Sequence, residues 1–111
     1  MNEYYPNLFS PIRVRNTTFR NRIFSTPNGT RFRRLEQERL FEADKAIGGA
    51  AQVTLCETYV NQHYLRQSKE VVFTLDDPNE MLIMAETANA IKFHGAVPSI
   101  QLSHIGPYSI K

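Results

Sequence analysis

The stretch IKFHGAVPSIQLSHIG, residues 91–106, decides the fold. Gly95 punctuates it: an apolar helical stripe comes before, and an extended run, Ala96 to Leu102, comes directly after. That run reads as a buried strand. Polar residues gather at its carboxyl end: Gln101, Ser103 and His104. In an α/β protein the carboxyl ends of the strands are where a site sits. A helix that runs straight into a strand, with chemistry at the strand's far end, predicts a parallel sheet.

Working outward, the helix before Gly95 starts at Asp76-Asp77-Pro78, an acidic cap followed by a proline suited to a first turn. Met81, Leu82, Met84, Ala85, Ala88, Ala90 and Ile91 form its stripe, which runs to about His94. A second helix is predicted from Leu35 to Ile47 on Leu35, Leu40, Phe41, Ala43, Ala46 and Ile47, and Gly48-Gly49 stops it. AAQVTLCETYV, residues 50–60, then reads as a buried strand, residues 61–69 as loop, and Val71-Val72-Phe73 as a short extended piece. Near the amino terminus, Ile12–Val14 and Thr18–Arg20 form a hairpin signal across Asn16-Thr17. Arg22 to Ser25 is the next strand, ended by Pro27, and Asn28-Gly29 marks a turn.

The predicted order is hairpin, strand, helix, strand, helix, strand, without repeats. Such alternation argues for right-handed crossovers onto a parallel sheet. Three parallel strands and two helices leave sheet edges unpaired and one face under-covered. A closed (β/α)₈ barrel needs about 250 residues. The sequence therefore reads as an incomplete part of such a barrel, a single partial domain over residues 1–111.

Composition narrows the function classes. The apolar fraction of 41% and aromatic fraction of 11% describe a folded chain. Net charge is only +2, but Arg20, Arg22, Arg31, Arg33 and Arg34 make the first third basic. Such a cluster suits a phosphate or nucleic acid, and more often it is a solvated loop, so nucleic-acid binding is not expected. A single cysteine, Cys56, rules out an internal disulfide framework. Neither a signal-peptide pattern nor an apolar run of the roughly 20 residues a membrane helix needs is found. A cytoplasmic, soluble protein is expected. No histidine, cysteine or acid spacing matches a metal site, and no glycine-rich phosphate loop is present.

Four motifs, in order, resemble the old yellow enzyme family of flavin-dependent oxidoreductases. LFSPIRVRNTTFRNRI is similar to the family's opening hairpin and first strand. STPNG stands at the turn where the family has a small residue, Pro, Met and a small residue. KAIGGAAQVTLCETYV resembles its Lys-x-Gly-Gly helix end and second strand. IKFHGAVPSIQLSHIG resembles its second helix, third strand and Gln-Leu-x-His-x-Gly run. The flavour is that of the enoate and 2,4-dienoyl-CoA reductase branch. The resemblance implies an amino-terminal piece of an FMN-binding barrel, with the rest of the barrel or a partner chain covering the sheet edge. It implies FMN at the barrel mouth, NAD(P)H as reductant and an activated alkene as substrate. An iron–sulfur cluster and FAD are further implications for the full-length parent, and the fragment alone is expected to be inactive.

Carried over residue by residue, the family's flavin contacts fall on Thr26, Pro27, Asn28 and Gly29 at the end of the first strand, on Cys56 in the second, and on Gln101 in the third. Gln101 is the strongest, because a carboxamide both donates to and accepts from a pyrimidine edge. Its bland alternative is a strand-end Gln satisfied by backbone or water. Pro-Asn-Gly is equally well just a turn, and Asn28 replaces the family's Met. Cys56 reads first as a small buried hydrophobe rather than a nucleophile. Glu57 is open between flavin and a neighbouring strand. His94 reads as structural at a helix end. His63 and His104 are candidate acids, although Pro107 stands where the family carries Arg. No catalytic residue is assigned. The competing readings are a stand-alone binding module using an exposed sheet edge, and a basic RNA- or nucleotide-binding domain built on the arginine-rich first third.

Overall fold

The structure, a computed structural model, describes residues 4–29, 35–62, 73–104 and 106. An antiparallel hairpin comes first, from β1 (Ile12–Val14) and β2 (Thr17–Phe19), with Ile12 opposite Phe19 and Val14 opposite Thr17. The turn is Arg15-Asn16, one residue earlier than the sequence signal placed it. Arg15 takes the left-handed φ of 52°, and its carbonyl accepts a bond from Arg13 Nε at 2.9 Å. Thr17, a β-branched residue, goes to the strand it favours.

The main sheet is parallel. It comprises β3 (Phe24–Ser25), β4 (Gln52–Tyr59), β5 (Phe73–Thr74) and β6 (Val97–Ser103). β4 is central. β3 pairs with its first residues and β5 with its last, while β6 pairs along nearly its whole length. Gln52 is opposite both Phe24 and Val97, and Thr58 is opposite both Phe73 and Leu102, so β3 and β5 follow one another along one edge of β4 and β6 takes the other. Arg22, expected in the strand, lies before it in a bend, where its amide bonds the Leu8 carbonyl at 2.9 Å.

Two helices cover one face. α1 (Leu35–Ile47) has the predicted bounds, and Gly49, at φ 107°, ends it in a conformation that disfavours any residue with a Cβ. α2 (Pro78–Phe93) starts on Asp77, whose Oδ1 accepts from the amides of Asn79 at 2.8 Å and Glu80 at 3.4 Å. His94 is its C-cap, and Gly95 follows at φ 77°. The core lies between this pair and the sheet: Ala46, Ala50, Val53, Leu55, Met84, Ile91 and Ala96. Ile91 is fully buried, worth roughly 2–3 kcal/mol of transfer free energy.

The stripe predicted for α1 needs correction. Ala43 and Ala46 are buried, but Leu40 and Ile47 are exposed, and Glu38 and Glu42 go inside instead. Glu42 is accommodated because Lys45 Nζ reaches both its oxygens, at 2.8 and 2.9 Å, while stacking 4.2 Å from the Phe41 ring centroid. The last strand is also less buried than its sequence suggests. Ile100, Gln101 and Leu102 are all exposed, because β6 has only β4 beside it among the described residues.

Candidate functional site at the carboxyl ends of the strands

Side-chain alternation sorts β4 and β6 into two faces. Val53 and Leu55 join the core under the helices. Gln52 and Thr54 point the other way and meet Ser99 of β6. Gln52 Nε2 donates to Ser99 Oγ at 2.7 Å, and the Thr54 and Ser99 hydroxyls lie 2.7 Å apart. The face away from the helices is therefore polar where the sequence reads as a uniformly buried strand.

A β-bulge then changes the phase. Leu55 is opposite Ile100 and Thr58 is opposite Leu102, so Cys56 and Glu57 together face Gln101 alone. Thr58 returns to the helix side, where its hydroxyl lies 3.9 Å from Met84 Sδ. Glu57 is thereby turned onto the polar face, where its Oε1 accepts from Ser103 Oγ at 2.9 Å. Gln101, one residue after the helix-side Ile100 and two before Ser103, projects from that same face and is exposed.

Cys56, the extra residue of the bulge, is buried. Burial is the largest influence raising its thiol pKa above 9.0, followed by the carboxylates of Glu38, Glu42 and Glu57. That environment keeps the thiol protonated and unreactive. Any ligand contact at this position falls to the backbone.

Thr26, Pro27, Asn28 and Gly29 follow β3 directly and are all exposed. Ser25 is level with Val53, so this turn leaves the sheet three residues, or about 10 Å, short of the level of Cys56. The turn and Gln101 thus lie at the same end of the sheet but at different heights. No atom comes within 4 Å of a Cβ built on Gly29, so nothing described crowds that position. His104 Nδ1 accepts from the Gly106 amide at 3.0 Å in a local turn. His63, Arg31, Arg33 and Arg34 lie outside the described residues.

Arg20, read from the sequence as part of a basic cluster that is more often a solvated loop than a phosphate holder, has fixed partners within the chain. Its guanidinium donates to backbone carbonyls at both helix ends: His94 at 2.9 Å, Ala46 at 2.5 Å and Ala50 at 2.8 Å. Such carbonyls, at the negative ends of two helix dipoles, are good acceptors for a cation. Next to it, buried Asn21 donates to the Gly49 carbonyl at 2.7 Å and accepts from the Ile23 amide at 2.9 Å. This knot lies at the amino end of the sheet, opposite the candidate site.

An apolar groove of about 280 Å³ lies on the helix side, between α2 and β6, lined by Leu55, Leu75, Met84, Ala88, Pro98 and Ile100 among others. It offers packing surface and almost no polar atoms, so it is no place for chemistry. Among the described residues no three potential metal ligands come together, and no helix is long and apolar enough to cross a membrane.

Neither a protein-family model nor any curated protein matches the sequence. Solved structures match the fold closely. The 6-hydroxypseudooxynicotine amine oxidase from Pseudomonas geniculata N1 is similar at 26% identity and a TM-score of 0.85, over 95% of this chain and 16% of that one. Histamine dehydrogenase from Rhizobium sp. 4-9 is similar at 22% identity and a TM-score of 0.83, over 94% and 16%. The old yellow enzyme from Trypanosoma cruzi is similar at 21% identity and a TM-score of 0.82, over 96% and 29%. The chain thus spans between about a sixth and a third of the length of these oxidoreductases. The old yellow enzyme resemblance drawn from the motifs holds in the fold, and the architecture is that of part of a (β/α)₈ barrel.

Proposed function

We propose that residues 1–111 supply the first β/α units of an FMN-dependent oxidoreductase, as a partial barrel domain completed by further polypeptide. The observation that carries this reading is Gln101. An exposed carboxamide stands at the carboxyl end of a parallel strand, beside a bulge, in a fold shared with named oxidoreductases. The residues fit the group: Gln101 offers both donors and acceptors to a pyrimidine edge, and the exposed turn Thr26–Gly29 leaves room for a ring beside its backbone. Cys56 contributes backbone only. Bound there, FMN would accept hydride from NAD(P)H and deliver it to an activated alkene. The role of this chain's residues is to hold and orient the cofactor, and the groups that activate substrate come from elsewhere in the protein. On this reading the 111 residues alone are inactive, and the unpaired edge of β6 is covered by the rest of the barrel or by a partner chain.

A second reading has its own support, since two of the matched structures are named as an amine oxidase and as histamine dehydrogenase. Here the same FMN would take hydride from a carbon next to an amine instead of giving it to an alkene.

The intact protein, purified and mixed with FMN, tests both. Quenching of flavin fluorescence with a one-to-one endpoint is expected. Bleaching by NADH or NADPH and recovery with an enone supports the alkene reductase, whereas bleaching by an amine supports the second reading. Failure to bind FMN would overturn both.

A further inference from the structure

We infer that Glu57 is a further ligand-binding residue, turned onto the site by the bulge in β4 and steadied by Ser103, where its carboxylate accepts an N–H donor from the bound ligand. The inference rests on the flavin reading and adds a residue to it. Three observations carry it. The bulge inserts its extra residue opposite Gln101, and without it Glu57 would point under the helices, as Thr58 now does. Bulges next to functional sites serve to re-aim one side chain in this way. Ser103 then fixes the carboxylate with a 2.9 Å bond to Oε1.

Charge balance is the third. Glu57 is half-buried, and the sole ion pair among the described residues is Lys45–Glu42. A hydroxyl on one oxygen satisfies only part of a carboxylate's accepting capacity, which is about four lone-pair sites. With one neutral donor among the described residues, this half-buried carboxylate keeps accepting capacity for a ligand. Gln101, directly across the strand pair, marks where that ligand lies.

Two sources share this chemistry, a ring N–H of the cofactor and the ammonium of an amine substrate. Glu57→Leu removes the acceptor, and Glu57→Gln keeps a neutral acceptor while removing the charge. Each is made in the intact protein, with thermal unfolding followed by circular dichroism as a folding control. For a cofactor ring N–H, FMN affinity falls at least ten-fold in Glu57→Leu and returns to within about three-fold in Glu57→Gln. For an ammonium, FMN affinity is unchanged. The affinity for propylamine, read from the absorbance change of the bound flavin, then falls at least ten-fold in both variants. Ser103→Ala, which frees the carboxylate without adding bulk, moves the same quantity by about three-fold and decides the matter if Glu57→Leu does not fold. FMN bound equally by all variants, with no change in amine affinity, would overturn the role of Glu57 and leave the flavin reading standing. A wild-type protein that binds no FMN would overturn both.

Discussion

The two ends of the parallel sheet are built by opposite rules. At the amino end backbone groups near the helix termini are tied by fixed partners. Arg20 gathers the carbonyls of Ala46, Ala50 and His94, Asn21 joins Gly49 to Ile23, and the amides of Ala51 and Val97 bond Ile23 and Ala51 in turn. At the carboxyl end the turn Thr26–Gly29 and Gln101 stand exposed, and the Glu57–Ser103 bond crosses between strands. The contrast teaches a division of labour. Residues that hold the unit together gather at the amino end, and the carboxyl end is left polar and accessible.

The sharpest way to break that contrast is at Asn21. Its side chain is buried and serves two backbone groups, so Asn21→Ala leaves a carbonyl and an amide without partners. A loss of about 2–4 kcal/mol is expected in urea denaturation of the intact protein. Arg20→Ala removes three bonds from an exposed side chain, the one to His94 exposed and those to Ala46 and Ala50 part-buried. A smaller loss of about 2 kcal/mol is expected, and it shrinks with added salt. An Arg20 variant more damaging than the Asn21 variant would mean that the cation, not the buried amide, is the principal tie.

At the other end the same experiments give the reverse pattern. Gln101→Leu changes stability by no more than about 0.5 kcal/mol, because the side chain is exposed. On the flavin reading it lowers FMN affinity ten-fold or more, since ring groups left without partners cost roughly 1–3 kcal/mol each. Asn28→Ala serves as the control: if the turn works through its backbone, affinity changes by much less than for Gln101→Leu. Equal FMN affinity for wild type and Gln101→Leu would remove the carboxyl end from the site.

Much of the frame was legible because it is local. Asp77-Pro78 and Gly95 fixed the ends of α2, and Gly48-Gly49 fixed the end of α1, through capping rules that depend on neighbours in sequence. What was not legible depends on neighbours in space. Arg20 looks like one more cation in a basic run until two helix ends, 26 and 74 residues away, bring their carbonyls to it. Glu38 and Glu42 break the apolar stripe of α1, and only the Lys45 partner shows why Glu42 tolerates burial. The bulge at Cys56–Glu57 is invisible in AAQVTLCETYV, because an extra residue changes facing without changing composition. Gln101 and the turn after β3 lie exposed toward the carboxyl ends of their strands. The sequence does not choose between a ligand and a neighbouring strand for Glu57, because the bulge that sets its facing leaves no trace in composition.

The smallest expected effect concerns the layer between the two ends, where Glu42 is buried. Burial is the main influence on its carboxyl and raises its pKa above 4.5. Lys45 opposes this through its hydrogen bond and charge, and Glu38 adds to it. A folded-state pKa above the unfolded one means that the folded chain holds the proton more tightly. The resulting stabilisation is fully present below pH 4.5 and is lost as pH rises through the raised value; beyond that the contribution is constant. Urea midpoints taken from pH 4 to pH 8 should therefore carry a downward component from this group, and Glu42→Gln should lack it. Because Lys45 offsets part of the burial cost, the component is modest beside the loss at Asn21. Parallel profiles for wild type and Glu42→Gln would show that the ion pair cancels burial entirely.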